Sequence, residues 1–256
     1  MTATSPLVVK LGGRAQAAAP DAVARLWAAR PREVVLVHGG GDEVSALQRA
    51  LGAEPAFVGG RRVTSERDVD LVRMALSGLA NKRLVAALVA RGVPAVGISG
   101  EDAGLVDARL AHDGALGRVG APHRIDASVV AHLLAGGYLP VVSPVARDGA
   151  DAEGAALNVN GDDCAAALAA ALGAEELLLV SDVSGVRVDG VPAARLDADA
   201  ARAAIASGEA AGGMAAKLEA ALLALDAGVP RVRVGDLAAL ADASAGTCIT
   251  LSPSMV

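Results

Sequence analysis

Short, mostly apolar runs alternate along the chain with alanine- and leucine-rich stretches whose apolar positions recur at helical spacing. The runs fall at 7–11, 34–37, 95–98, 140–143, 177–181 and 231–234. A strand covered on both faces has no need to alternate apolar with polar side chains, so these runs predict buried strands. Helical spacing predicts helices over 21–29, 43–51, 66–91, 127–135, 162–172, 198–207 and 215–227. Strand and helix in regular alternation imply an α/β fold with a mostly parallel sheet and helices on both sides.

The longest of these helices places Val69, Val72, Leu76, Leu79, Leu84 and Leu88 on one face. Thr64 or Ser65 can cap its start, and Gly92-Val93-Pro94 stops it. Such a helix is expected to pack along the sheet or against a second subunit. The polar segment 147–157 predicts a hairpin or loop. The alternation restarts near Gly173, which divides the chain into a lobe over 1–173 and a second over 174–256. The near-neutral stretch 129–146 is broken by Gly136-Gly137, Pro140 and Pro144. It reads as a helix end, a turn and a strand, not a membrane span.

Composition narrows the function classes. The 256 residues are 53% hydrophobic and 1% aromatic, a small-side-chain composition suited to close helix packing. A net charge of −6 with no basic stripe argues against nucleic acid as the partner. Cys164 and Cys248 lack metal-ligand spacing and are expected to be reduced and buried in a cytoplasmic protein. Lys10 follows the start so closely that no signal peptide is expected.

Candidate chemistry begins where strands hand over to helices. Gly12-Gly13 follows the first run and Lys10; Gly39-Gly40-Gly41 follows the second. Bare backbone N–H groups near a helix start attract anions, phosphate above all, although each pair could be only a tight turn. GxxxxGK[ST], an opening GxGxxG and the protein-kinase motifs are absent from the sequence. Lysines are scarce: Lys10, Lys82 and Lys217 are the three among 23 basic residues. Lys10 and Lys217 both adjoin glycine turns and are candidate phosphate ligands, whereas Lys82 lies within the long helix. In NVNGDDCAA (158–166), Asp162 or Asp163 can cap the next helix. A carboxylate there could equally hold two ammonium groups, with Asn158 and Asn160 beside it. LLLVSDVSGV (177–186) ends a buried strand in Ser181-Asp182, where ligands gather in open α/β sheets. Arg61 and Arg62 precede the long helix. One can clamp a carboxylate through its planar fork, and a solvated surface position is the default for the other. No metal-ligand spacing links His38, His112, His123 and His132, and His38 is expected to pack or fix the glycine loop.

Taken in order, VKLGG (9–13), VLVHGGG (35–41), FVGGRRVT (57–64), LSGLANKRLV (76–85), AVGISGED (95–102), LGRVG (116–120), GYLPVVSPV (137–145), NVNGDDCAA, LLVSDVSGV (178–186), GGMAAK (212–217) and GTCIT (246–250) span almost the whole chain. The sequence resembles the N-acetylglutamate kinases of the amino-acid kinase family. The resemblance implies an open three-layer αβα sandwich in two lobes. The first would bind the acyl amino acid and dimerise; the second would bind ATP. It implies ATP-dependent phosphorylation of the side-chain carboxylate of N-acetyl-L-glutamate, in arginine biosynthesis.

By matching position, Lys10, Lys217 and Asp162 would be catalytic, and Gly40, Gly41, Arg62 and Asn158 would bind the acid. Gly12, Gly13, Ser181, Asp182, Val183, Ser184, Gly185, Val186, Gly213 and Met214 would bind ATP. Mg²⁺ would be held mainly by the nucleotide phosphates, with no dedicated metal site. Gly161 and Asp42 depart from residues common in the family, alanine and proline. Arginine-inhibited members carry an extra N-terminal helix, and with Lys10 near the start an arginine-insensitive homodimer is expected, joined through the long helix. Sister kinases acting on another N-acylated or carrier-bound glutamate or aminoadipate stand as the nearest alternative, a non-catalytic metabolite sensor as the next. A nicotinamide-dependent oxidoreductase suits an α/β sheet but lacks its fingerprint.

Overall fold

The structure is a computed structural model that describes residues 5–58 and 61–252; Gly59 and Gly60 of the FVGGRRVT motif lie outside the described residues. An eight-stranded sheet forms the centre, in the order Arg195–Asp197, Thr247–Thr250, Val232–Gly235, Glu176–Val180, Leu7–Leu11, Val34–His38, Leu139–Ser143 and Ala95–Ser99. From Val232–Gly235 to Ala95–Ser99 every pairing is parallel, and Thr247–Thr250 joins antiparallel at one side. Within this sheet, the strands that follow Gly173 lie on one side of Leu7–Leu11, and the earlier ones are that strand and those on its other side. The proposed lobes therefore share one continuous sheet.

Alternate side chains of these strands supply two separate cores. Val8, Val35, Val37, Val142, Leu177 and Leu179 pack with Leu168, Leu218, Leu222 and Leu225 of the helices Gly161–Ala171 and Gly213–Asp226. Leu7, Val9, Leu11, Leu36, Val141 and Leu178 pack with Val23, Trp27, Leu84 and Leu88 of the helices Pro20–Ala29 and Asn81–Val89 on the opposite face. Full burial of each Leu or Val is worth about 1.5–3 kcal/mol, which locks the sheet between two helical layers. This is the three-layer αβα arrangement expected.

Four strands outside the sheet pair in a closed ring: Val106–Leu110, Val119–Ile125, Val145–Asp148 and Ala156–Val159. The last two are the hairpin expected around 147–157 and pair antiparallel. A third core joins this ring to the helices Gly41–Ala50 and Glu66–Arg73 through Val44, Val72, Leu76, Val145 and Ala156.

The long helix differs from its sequence pattern in the middle. It runs as α-helix over Glu66–Arg73, widens to a π-helix over Met74–Ala80, and continues over Asn81–Val89. Ser65, not Thr64, caps it, in a reciprocal box with Asp68. The wide turns shift the helical phase, so Leu79 is 43% exposed and Ala80 takes the inward position between Leu76 and Leu84.

Candidate active site

Leu7–Leu11, Val34–His38 and Glu176–Val180 lie side by side and run the same way. The loops that follow them therefore emerge from one edge of the sheet. Gly12 N–H donates to the Val180 carbonyl at 3.0 Å, and Gly39 N–H to that of Leu11 at 3.0 Å, folding both loops across the strand ends. Gly40 has φ +150°, and a Cβ there would come within 2.6 Å of Leu76 Cδ2. Only glycine lets this loop turn into its helix so close to the π-helical segment.

Lys10 lies between Val9 and Leu11 in its strand, and so projects from the opposite face, toward the start of Gly161–Ala171. Its Nζ lies 3.0 Å from Asp162 Oδ1. Lys217 Nζ donates to both oxygens of the same carboxylate, at 3.2 and 3.1 Å. Lys10, Asp162 and Lys217 are 7%, 5% and 8% exposed, so the three charges interact largely out of water. Burial by itself would raise the Asp162 carboxyl, but the Lys10 and Lys217 charges outweigh it and hold the group below its ordinary value. Burial, and then the Lys10 charge, push the Lys217 ammonium below its ordinary value against the pull of Asp162. Two cations around one anion leave an excess positive charge at the sheet edge.

Two hollows meet at this group, and Lys10 and Asp162 line both. Gly40, Gly41, Arg62 and Asn158 line the first. Gly12, Gly13, Ser181, Asp182, Val183, Gly213, Met214 and Lys217 line the second. Ser184, Gly185 and Val186 are not in its lining. Val186 is buried and its N–H donates to Thr247 Oγ1 at 2.8 Å, while a Cβ on Gly185 would meet the same oxygen at 2.6 Å. These residues brace the loop from behind.

In the first hollow Arg62 is held from several sides. Its Nη2 donates to the Gly41 carbonyl and to Ser45 Oγ, both at 2.7 Å, its Nη1 donates to Gln48 Oε1, and Phe57 lies under its guanidinium at 4.8 Å. Asn158 Nδ2 donates to Thr64 Oγ1 at 3.0 Å. These contacts orient both side chains along one wall, a cationic fork beside an amide, which suits a carboxylate-bearing ligand.

The profile of the amino acid kinase family matches residues 5–236. The chain belongs to the amino acid kinase family. It is 43% identical to an acetylglutamate kinase of Roseiflexus castenholzii over 90% of this chain and 89% of that one. It is 45% identical to an acetylglutamate kinase of Chloroflexus aurantiacus over 82% of each. A solved structure from Streptococcus mutans UA159 superposes with a TM-score of 0.85 at 29% identity, over 95% of this chain and 98% of that one.

Some sequence expectations change within this amino acid kinase site. Asn160, not Asp162 or Asp163, caps Gly161–Ala171: its Oδ1 accepts the N–H groups of Asp162 at 2.7 Å and Asp163 at 3.4 Å. An aspartate used as the cap would have spent its carboxylate on the backbone; Asn160 leaves Asp162 free for the lysines. Neither arginine of the pair is a solvated default, since Arg61 donates to Asp163 Oδ2 at 2.8 Å and Glu219 Oε2 at 3.3 Å. Lys82 stands apart from the lysine pair and donates to the Gly97 carbonyl at 2.8 Å and Asn81 Oδ1 at 3.1 Å.

His38 fixes the glycine loop. Its Nδ1 lies 2.7 Å from the Gly39 carbonyl, and its Nε2 lies 3.1 Å from Asn81 Nδ2. A neutral ring with the proton on Nδ1 satisfies both contacts. Burial pushes its pKa down to about 4, and the Lys10 and Lys82 charges add to that against the Gly39 bond. Asn81, Ser45 and Gln48 carry no motif of their own in the sequence; an asparagine, a poor helix former, inside the long helical stretch is the one signal it offers.

Proposed function

We propose that this chain is an ATP-dependent acetylglutamate kinase: it phosphorylates the side-chain carboxylate of N-acetyl-L-glutamate, in arginine biosynthesis. The observation that carries this reading is the single Asp162 carboxylate holding the Lys10 and Lys217 ammonium groups where the two hollows join. Kinship with acetylglutamate kinases at 43–45% identity supports the choice of acid.

The chemistry follows from charge. The acceptor carboxylate is already ionised at neutral pH, so attack needs no general base. One of its oxygens bonds to the γ-phosphorus, the bond from phosphorus to the β,γ-bridging oxygen breaks, and ADP leaves with that electron pair. The products are N-acetyl-L-glutamyl 5-phosphate and ADP. Two anions must be brought in line, and negative charge on the transferring group must be stabilised. Lys10, common to both hollows, and Lys217 on the nucleotide side supply that positive charge; Asp162 keeps them together. Arg62 and Asn158 hold the acid, with Gly40 and Gly41 allowing close approach. N–H groups near Gly12 and Gly13 receive phosphate oxygens, and Ser181 to Val183, Gly213 and Met214 border the nucleotide. Mg²⁺ would fit this donor set as part of the nucleotide: Lys10 and Lys217 suit phosphate oxygens and not a metal, so the ion would be held mainly by the phosphates and water and would supply further positive charge.

In this reading residues 1–173 form the acid-binding half and 174–256 the nucleotide half. The enzyme works in the cytoplasm as a homodimer. The exposed Met74, Leu79 and Val89 on the long helix support an interface there.

Hydroxylamine trapping tests the reaction directly. With ATP, wild type is expected to give a hydroxamate with N-acetylglutamate and far less with N-succinylglutamate. Preference for the succinyl acid would move the enzyme to a sister activity. No hydroxamate with any acid would favour a metabolite sensor.

A further inference from the structure

The strand Arg61–Arg62 presents two guanidinium groups with different destinations. Arg62 turns back onto Gly41 and Ser45, beside the acceptor hollow. Arg61 reaches across, donating to Asp163 at 2.8 Å and Glu219 at 3.3 Å. Asp163 directly follows Asp162 on Gly161–Ala171, and Glu219 lies half a turn beyond Lys217 on Gly213–Asp226. Arg61 also lines the acceptor hollow. One guanidinium therefore ties the wall of that hollow to both helices that carry the charged group.

The tie is anchored in a buried place. Asp163 is 8% exposed, and its Oδ1 has no hydrogen-bond partner among the described residues. A buried carboxylate already half satisfied is strongly disfavoured if the Arg61 cation leaves, so seating Arg61 and seating the helix start are linked.

We propose that Arg61 is a positioning residue for phosphoryl transfer: its bridge to Asp163 and Glu219 couples seating of the Arg61–Arg62 strand over the acid to the placement of Asp162 and Lys217. The proposal rests on the kinase reading above and adds to it a connection between acceptor binding and the geometry of the lysines. Displacement of a reacting group by about 1 Å is enough to cost on the order of 10²-fold in rate. A tie that sets the lysine position therefore acts mainly on turnover.

The test compares Arg61→Gln, Arg61→Lys and Glu219→Gln with wild type, by steady-state kinetics for both substrates, thermal unfolding, and hydrogen exchange. Arg61→Gln is expected to lower kcat by about tenfold or more while KM for ATP moves less than about twofold. Arg61→Lys, which keeps the charge, is expected to recover a large part of that loss. Glu219→Gln is expected to lower kcat in the same direction by a smaller factor, because its pairing is the longer one. Exchange in Arg61→Gln is expected to quicken both in the Arg61–Arg62 strand and at the start of Gly213–Asp226. Unchanged kcat in Arg61→Gln, or a loss that follows the folded fraction and is not recovered by lysine, overturns the proposal. The exchange measurement needs no chemistry. If wild type phosphorylates no acid, the kinase reading fails, and unchanged exchange at the lysine helix would separately remove the tie.

Discussion

The Asp162 carboxylate accepts from the Lys217 ammonium at 3.1 and 3.2 Å although the two residues are 55 positions apart. Lys10, from the first strand, closes on the same carboxylate at 3.0 Å. An acid, a lysine from a sheet strand and a lysine from a late helix are thus drawn into one buried cluster. The consequences can be measured.

Replacing either lysine with alanine removes half of the positive charge facing the transferring phosphoryl group. Turnover in Lys10→Ala and Lys217→Ala is expected to fall by about 10²–10³ or more, in line with the loss of one transition-state charge contact. Hydroxamate formation under saturating substrates measures it. Either variant retaining turnover within a factor of ten of wild type would contradict the assigned roles.

Asp162→Ala leaves two ammonium groups buried without their shared partner. The expected cost is about 3–5 kcal/mol of stability, read from urea unfolding. A cost below about 1 kcal/mol would mean that the lysines are solvated in solution and the cluster is not closed.

The pH dependence separates stability from activity. The two lysines hold Asp162 below its ordinary value, so its contribution to stability is present above the unfolded carboxylate value of about 3.9 and lost as pH falls through the lower folded value. Lys217 titrates below the ordinary lysine value of 10.5, so on the alkaline side the folded protein releases this proton before the unfolded chain does. Stability from this group rises with pH across that window, while the charge needed for phosphoryl transfer disappears. An alkaline limb in kcat/KM below 10.5, reached before unfolding, is expected. A limb that coincides with loss of circular-dichroism signal would refute it.

Arg62→Lys retains charge but loses the planar fork held by Gly41, Ser45 and Gln48. KM for the acid is expected to rise by about tenfold with a much smaller change in kcat, because ground-state grip is what the fork provides. Initial rates over a range of acid concentrations decide it.

Asn81→Ala removes the donor to the Val141 carbonyl at 2.9 Å and to His38 Nε2 at 3.1 Å. Each orphaned buried acceptor costs about 1–3 kcal/mol, so unfolding should shift by at least that much. Because His38 holds the Gly39 carbonyl, acid binding is expected to weaken as well. A variant with wild-type stability would show that water replaces the amide.

The alternation of apolar runs and helical spacing placed six of the sheet's strands within a residue or so, but not Arg195–Asp197 and Thr247–Thr250 at one side of it. Buried parallel strands have to be apolar throughout, and that leaves a local signature. The helix at Ala198–Ser207 carries its own cap and glycine stop and fell where expected. The strands Val106–Leu110 and Val119–Ile125 gave no such signature. Their exposed faces carry Arg109, His123 and Arg124, and Arg124 with Arg147 pairs the buried Asp107 across the ring. They pair with each other, but closing the ring needs partners distant in sequence, Asp107 beside Arg147 and Val119 beside Asn158. Leu79 misled for a related reason: a π-helical segment changes the phase, and its stabilising contacts, such as Ser77 Oγ to Ser143 Oγ at 2.7 Å, lie outside the helix.

The candidate chemistry divides the same way. Sparse lysines beside glycine turns, the asparagine–aspartate run and the ordered motifs were visible in one dimension, because residue type and local spacing are sequence properties. That Asn160 takes the capping duty and frees Asp162, that Arg61 crosses to the lysine-bearing helix, and that two hollows share Lys10 and Asp162 are products of packing. They depend on which side chains burial forces together, and only the folded chain sets those distances.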